Sequence, residues 1–86
     1  MRGSAALGEV VAVFADPHSN NGSDEAPAVV VRRWSGTTVN VRVLLDGTAV
    51  PWVTSVQLCQ TRAEADQRAS MVPPGTVPLL GWWPDS

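Results

Sequence analysis

From Thr38 to Leu45 the chain reads TVNVRVLL, with Val39, Val41, Val43 and Leu45 at every second position and Asn40, Arg42 and Leu44 between them. A side-chain period of two belongs to an extended strand with one face buried, since a helix would scatter the same residues around its axis. Both ends of the run carry turn residues. Ser35-Gly36-Thr37 suits a three-residue hairpin loop in which Gly takes a positive φ, and Asp46-Gly47 suits a second hairpin turn. The segments beyond those turns, Pro27–Trp34 and Val50–Leu58, are rich in β-branched and aromatic residues. Three strands joined by two hairpins make a meander, and no other feature constrains the fold as much.

A further strand is expected over Gly8–Ala15 (GEVVAVFA), ended by Asp16-Pro17. The polar stretch 16–26, which contains the turn dipeptide Asn21-Gly22, reads as a long solvated loop. Pro27 then stands at a strand start, where its missing N–H is tolerated. In the fourth strand, alternation puts Trp52, Thr54, Val56 and Leu58 on one face. Residues 60–71 change character. Thr61-Arg62-Ala63-Glu64 has the pattern of a capping box, and a short alanine-faced helix follows until Pro73-Pro74.

The ends differ from each other. Residues 1–7 are a small-residue arm without a period, expected to be mobile unless a partner orders it. Residues 72–86 are Pro-rich yet hold Val77, Leu79, Leu80, Trp82 and Trp83. Burying each such side chain is worth roughly 1.5–3 kcal/mol, so something should cover them. The tail either returns as a fifth strand or docks on another subunit. Taken together, arm 1–7, meander 8–59, helix 60–71 and tail 72–86 describe an all-β fold. The best fit is a small SH3-like β-barrel of four to five antiparallel strands, with one short C-terminal helix and an extended aromatic tail. An OB-like barrel is the second fit.

Composition narrows the chemistry. Eighty-six residues make one domain, and an apolar content of 44% suits a globular one. The net charge of −2 argues against a general nucleic-acid binder, and all cations are Arg. The single cysteine, Cys59, excludes an intrachain disulfide and reads as a small buried apolar residue. Without a membrane-length apolar run or the apolar core of a signal peptide, the chain reads as soluble and made in the cytoplasm.

Candidate sites reduce to surfaces. His18, the one histidine, sits in the polar loop with no nucleophile or further ligand at useful spacing. Asp16, Asp24, Glu25, Asn20 and Asn21 do not follow an EF-hand pattern, and no two carboxylates are tied together for acid–base work. No catalytic residue, metal ligand or cofactor is therefore expected. If Ser35–Thr37 is the loop, Arg32 lies opposite Asn40 and diagonal to Arg42, so both arginines share a sheet face with Trp34. Trp and Arg are enriched anchors of protein interfaces. In the tail, Leu79, Leu80, Trp82 and Trp83 are the interface candidates. Adjacent residues of a strand point opposite ways, so one sheet face cannot bury both tryptophans.

The pieces NNG (20–22), APAVV (26–30), Trp34, TVNVRVLLDG (38–47), Trp52, TSV (54–56) and Trp83-Pro84 resemble a group of small proteins encoded by actinobacteriophages and their hosts. An Arg-only, Ala- and Val-rich composition agrees with such a GC-rich source. The resemblance implies a non-enzymatic virion structural protein, capsid-associated as a decoration or minor capsid subunit. Its partners would be the major capsid protein or other virion subunits, in an oligomeric or lattice-bound state. The rival reading is an SH3-like adaptor for a host or phage protein, with a weak nucleic-acid binder third.

Overall fold

The hairpin expected around Ser35–Thr37 is present, the Trp34 N–H donating to the Thr38 carbonyl at 2.8 Å and Arg32 standing opposite Asn40, but Gly36 does not take the positive φ expected of it. The computed structural model describes residues 3–84, so the outermost ends of the arm and the tail, 1–2 and 85–86, lie outside the described residues. Its strands are β1 (Val10–Phe14), β2 (Glu25–Arg33), β3 (Thr38–Val43), β4 (Trp52–Cys59) and β5 (Leu80–Trp82), with helix α1 (Arg62–Ala69) between β4 and β5. They close into one barrel in sequence order, β5 returning to β1. The fold is all-β, a five-stranded SH3-like barrel with one short helix. Among the described residues no helix is long and apolar enough to cross a membrane.

The inward face is built from small β-branched residues. Val11, Val13, Val30, Val39, Val41, Val43 and Val56 are buried together with Ala26, Ala28, Leu58 and Trp83. β3 carries its valines inward as the alternation requires, but it ends at Val43 rather than Leu45. The Leu44 N–H still bonds to the Pro27 carbonyl at 2.8 Å, and beyond it the Asp46 N–H turns to Asn20 Oδ1 at 2.7 Å, which draws the chain off the ladder. Asp46-Gly47 therefore belongs to a longer connection and not to a tight hairpin.

Two β-bulges break the simple alternation. In β2 the register shifts between Val30 and Arg32, leaving Val31 as the extra residue. In β4, Thr54 and Ser55 together face Asn40, between the pairs Val39–Val56 and Val41–Val53. Ser55, the second of the two bulged residues, takes a left-handed φ of 59°. The consequence corrects the expected face of β4: Trp52 and Thr54 point outward, while Val56 and Leu58 point in.

The aromatic tail is not a free arm. β5 pairs antiparallel with β1 (Ala12 with Trp82, Val13 with Gly81) and parallel with β4 (Gln57 with Leu80, Cys59 with Trp82). The expectation of purely antiparallel strands therefore fails at this one seam. Helix α1 reverses the chain after β4, so β5 runs alongside β4 in the same direction. Strand alternation then sends the tryptophans apart. Trp83 joins the valine interior, and Trp82 packs on the outside of the wall with Ala12, Cys59 and Ala65 of α1.

Local polar chemistry fixes the rest. The Thr61 side chain caps α1 by accepting from the Glu64 N–H at 3.2 Å, and the Glu64 carboxylate accepts from the Gln60 N–H at 3.3 Å. The region read as a solvated loop is shorter and more ordered, because β2 begins at Glu25 and residues Pro17–Ser19 form a 3₁₀ turn capped by Asp16. Asn20 is buried there, its Nδ2 donating to the carbonyls of Ser23 and Glu25. The arm is held as well. Ala5 is buried in the core cluster, its N–H bonded to the Gly36 carbonyl, and Arg33 Nη1 donates to the Ala5 carbonyl at 2.9 Å.

Candidate protein-docking face

The outward side of β1–β4 is unusually apolar for a solvated surface. One cross-strand row runs Val10, Val29, Arg42, Trp52, each opposite the next in the ladder. A second row holds Arg32 opposite Asn40, which faces the Thr54–Ser55 bulge. Trp34 at the hairpin end and Trp52 at the start of β4 are 55% and 51% exposed, and the β2 bulge adds an exposed Val31. Large aromatic side chains left half in water, grouped with arginines, are characteristic of interaction surfaces.

Asn40 organises this face. It is buried, and its Oδ1 accepts from Trp34 Nε1 at 2.9 Å, from Thr54 Oγ1 at 2.8 Å and from the Ser55 N–H at 3.0 Å. The first bond lays the Trp34 indole down toward the sheet. Arg32 then stacks its guanidinium 4.0 Å from the centre of the Trp34 ring. Holding an aromatic side chain in one orientation before a partner arrives lowers the entropy lost on binding.

Charge is segregated between the two sides of the molecule. Arg62, on α1, meets Asp24 at 3.1 Å, Glu25 at 3.2 Å and Asp66 at 2.9 Å, and its guanidinium lies over both Phe14 and Trp82. Burial lowers the Arg62 pKa, but the bonds to Asp66 and Asp24 outweigh it and raise the pKa overall. Arg68 pairs with Glu64 at 3.1 Å. Arg32 and Arg42, in contrast, make no ion pair among the described residues. The one carboxylate at an outward strand position of β1–β4, Glu25 at the start of β2, is taken by Arg62 and not by Arg32 or Arg42.

The expected site residues thus divide. Trp34, Arg32 and Arg42 are brought together on one outward face, as the hairpin register requires. Trp82 and Trp83 are 3% and 1% exposed, so these two are internal and not available as intersubunit anchors, while Leu80 is half-buried against Trp82 at the lining of an apolar slot. Leu79 is exposed, beside an apolar cleft away from the Trp34 face. Comparison with protein-family models, curated proteins and solved structures finds no match to this chain.

Trp52 and Asn40 are the members of the face that sequence reasoning missed. Alternation put Trp52 with Val56 on one side, and only the bulge turns it out. For Asn40 a signal was available: an amide among valines in a central strand needs partners, and a hydroxyl-rich Thr54-Ser55 stood on the next strand. His18 and Asp16 lie instead on the rim of an open cleft of about 410 Å³, with Phe14 and Val77. Among the described residues no group of three or more His, Cys, Asp or Glu gathers to hold a metal.

Proposed function

We propose that this chain is a non-enzymatic docking subunit that binds another protein through the outward β2–β3–β4 face. The observation that carries the reading is the fixed Trp34–Asn40 contact, flanked by Trp52, Arg32 and Arg42, on a face that holds two uncompensated cations. Aromatic and Arg anchors in a pre-ordered arrangement give affinity from few residues.

The assembly we propose is a phage virion, with the chain as a capsid-associated decoration or minor capsid subunit on the major capsid protein. Support comes from the sequence resemblance together with a small rigid barrel that presents one adhesive face. Mass spectrometry of purified particles from a phage carrying the gene should find the chain, and Trp34→Ala with Arg42→Glu should deplete it at least tenfold. Particles without any copies would overturn the capsid assignment. The burial of Trp82 and Trp83 in their own barrel takes away the tail as a docking arm, and the one remaining face is equally compatible with the rival adaptor role. Recovery of one specific partner outside the particle, lost with Trp34→Ala, would establish that role instead.

A further inference from the structure

β5 pairs with β4 only from Gln57 to Cys59, so among the described residues the Trp52–Val56 half of β4 has a neighbour on its β3 side and none on the other. The chain leading into β5 bends at Leu79 just after Pro78. Between that bend and β4 lies an apolar slot of about 180 Å³, walled by Val53, Val56, Val77 and Leu79, with Val41 and Val43 at its floor. An unpaired strand edge offers alternating N–H and C=O groups, and an adjacent apolar slot offers room for a side chain.

We propose that this half-edge binds an extended segment of a partner protein by β-addition. The segment alternates apolar residues, one of which fills the slot, with carboxylates that meet Arg42. Charge selects the occupant. Arg42 stands opposite Trp52 in the ladder, one strand in from the open half-edge, so a carboxylate reaching over Trp52 can meet it, and it makes no ion pair among the described residues. A second copy pairing edge to edge would offer Arg42 no carboxylate, since β4 itself (WVTSVQLC) carries none. The left-handed Ser55 also limits a long flat pairing of that kind. A nucleic acid has no alternating backbone donors and acceptors for a strand edge. The inference rests on the docking role proposed above and supplies the chemistry of its partner.

The probe is an acetylated, amidated octapeptide in which glutamate alternates with valine and leucine, titrated into the uniformly ¹⁵N-labelled full chain. Amide shifts are expected at Trp52–Val56 and Val77–Leu80. Lysine in place of the glutamates, or N-methylation of every second peptide amide, should each weaken binding at least tenfold. Val77→Trp, which fills the slot from its exposed rim, should do the same while the barrel spectrum stays dispersed. Shifts elsewhere, equal binding by all three peptides, or tighter binding of an oligothymidine at the same residues would overturn the inference. A silent peptide with Trp34→Ala still lost from particles removes this inference alone. A binding peptide with the chain absent from particles removes only the capsid assignment.

Discussion

Trp82 and Trp83 are neighbours in the chain and are buried on opposite sides of the barrel wall, Trp83 within the valine interior and Trp82 under helix α1. Phe14 meets the Trp82 ring edge-on, with centroids 5.0 Å apart. Strand geometry makes this division unavoidable, and it gives the chain two apolar clusters in place of one.

Loss of either tryptophan should therefore be severe but different in reach. Trp→Ala in a packed core costs about 3–5 kcal/mol. A domain of this length is stable by about 4–13 kcal/mol in all. Trp83→Ala should leave the barrel marginal or unfolded in urea titration. Trp82→Ala should also speed amide exchange in α1, whose Ala65 packs against it, before the strands are affected.

The Asn40 Oδ1 accepts from three donors, so its removal strands polar groups rather than merely deleting a contact. Asn40→Ala should cost about 2 kcal/mol by urea unfolding, in the range for unsatisfied buried donors. Asn40→Asp keeps an acceptor and should cost less. Fluorescence anisotropy should report a looser Trp34 in the alanine variant.

Gly81 sits where β1, β4 and β5 meet most closely. A Cβ at this position would lie 2.7 Å from the Ala12 carbonyl oxygen and 3.1 Å from Leu58 Cδ2. Backbone cannot yield as a side-chain tip does, so Gly81→Ala should destabilise by about 1–3 kcal/mol. The melting temperature should drop by roughly 4–8 °C per kcal/mol. An unchanged melting temperature would contradict this packing.

Burial pushes the Cys59 thiol above its ordinary value of 9.0, Arg68 pulling it partly back and Glu64 adding to the rise. The folded chain thus keeps this proton to higher pH than the unfolded chain. The contribution to stability is complete below pH 9.0 and is lost as pH rises through the higher folded value. Unfolding free energies measured at pH 8 and above should fall more steeply for the native chain than for Cys59→Ala. In native conditions Cys59 should react slowly with an aromatic disulfide.

The architecture was legible wherever local chemistry decided it. The period-two run of β3, the Ser35–Thr37 turn and the Thr61 cap each express a preference that needs no distant partner, and each appears in the fold. The outward Trp52 was not legible, because its direction depends on a bulge that Asn40 stabilises from the neighbouring strand. The same holds for Asn20, whose loop looks solvated until Asp46 arrives from the next connection. The parallel seam of β4 and β5 also depends on contacts across the helix, for which adjacent residues carry no pattern. In the candidate face, Arg32, Asn40, Arg42 and Trp34 follow from hairpin register alone, whereas the outward Trp52 and the bonds of Asn40 to Thr54 and Ser55 required the bulge.

Because β5 is both the last strand and a neighbour of β1, the barrel has no complete wall until Trp83 has left the ribosome. Before then β1 has only β2 beside it, and the valine interior lacks its largest side chain. Until β5 has been made, the nascent chain is therefore an open, sticky sheet, the state that folding helpers recognise. A chain that lacks β5 would be an aggregation hazard and not a weaker version of the protein.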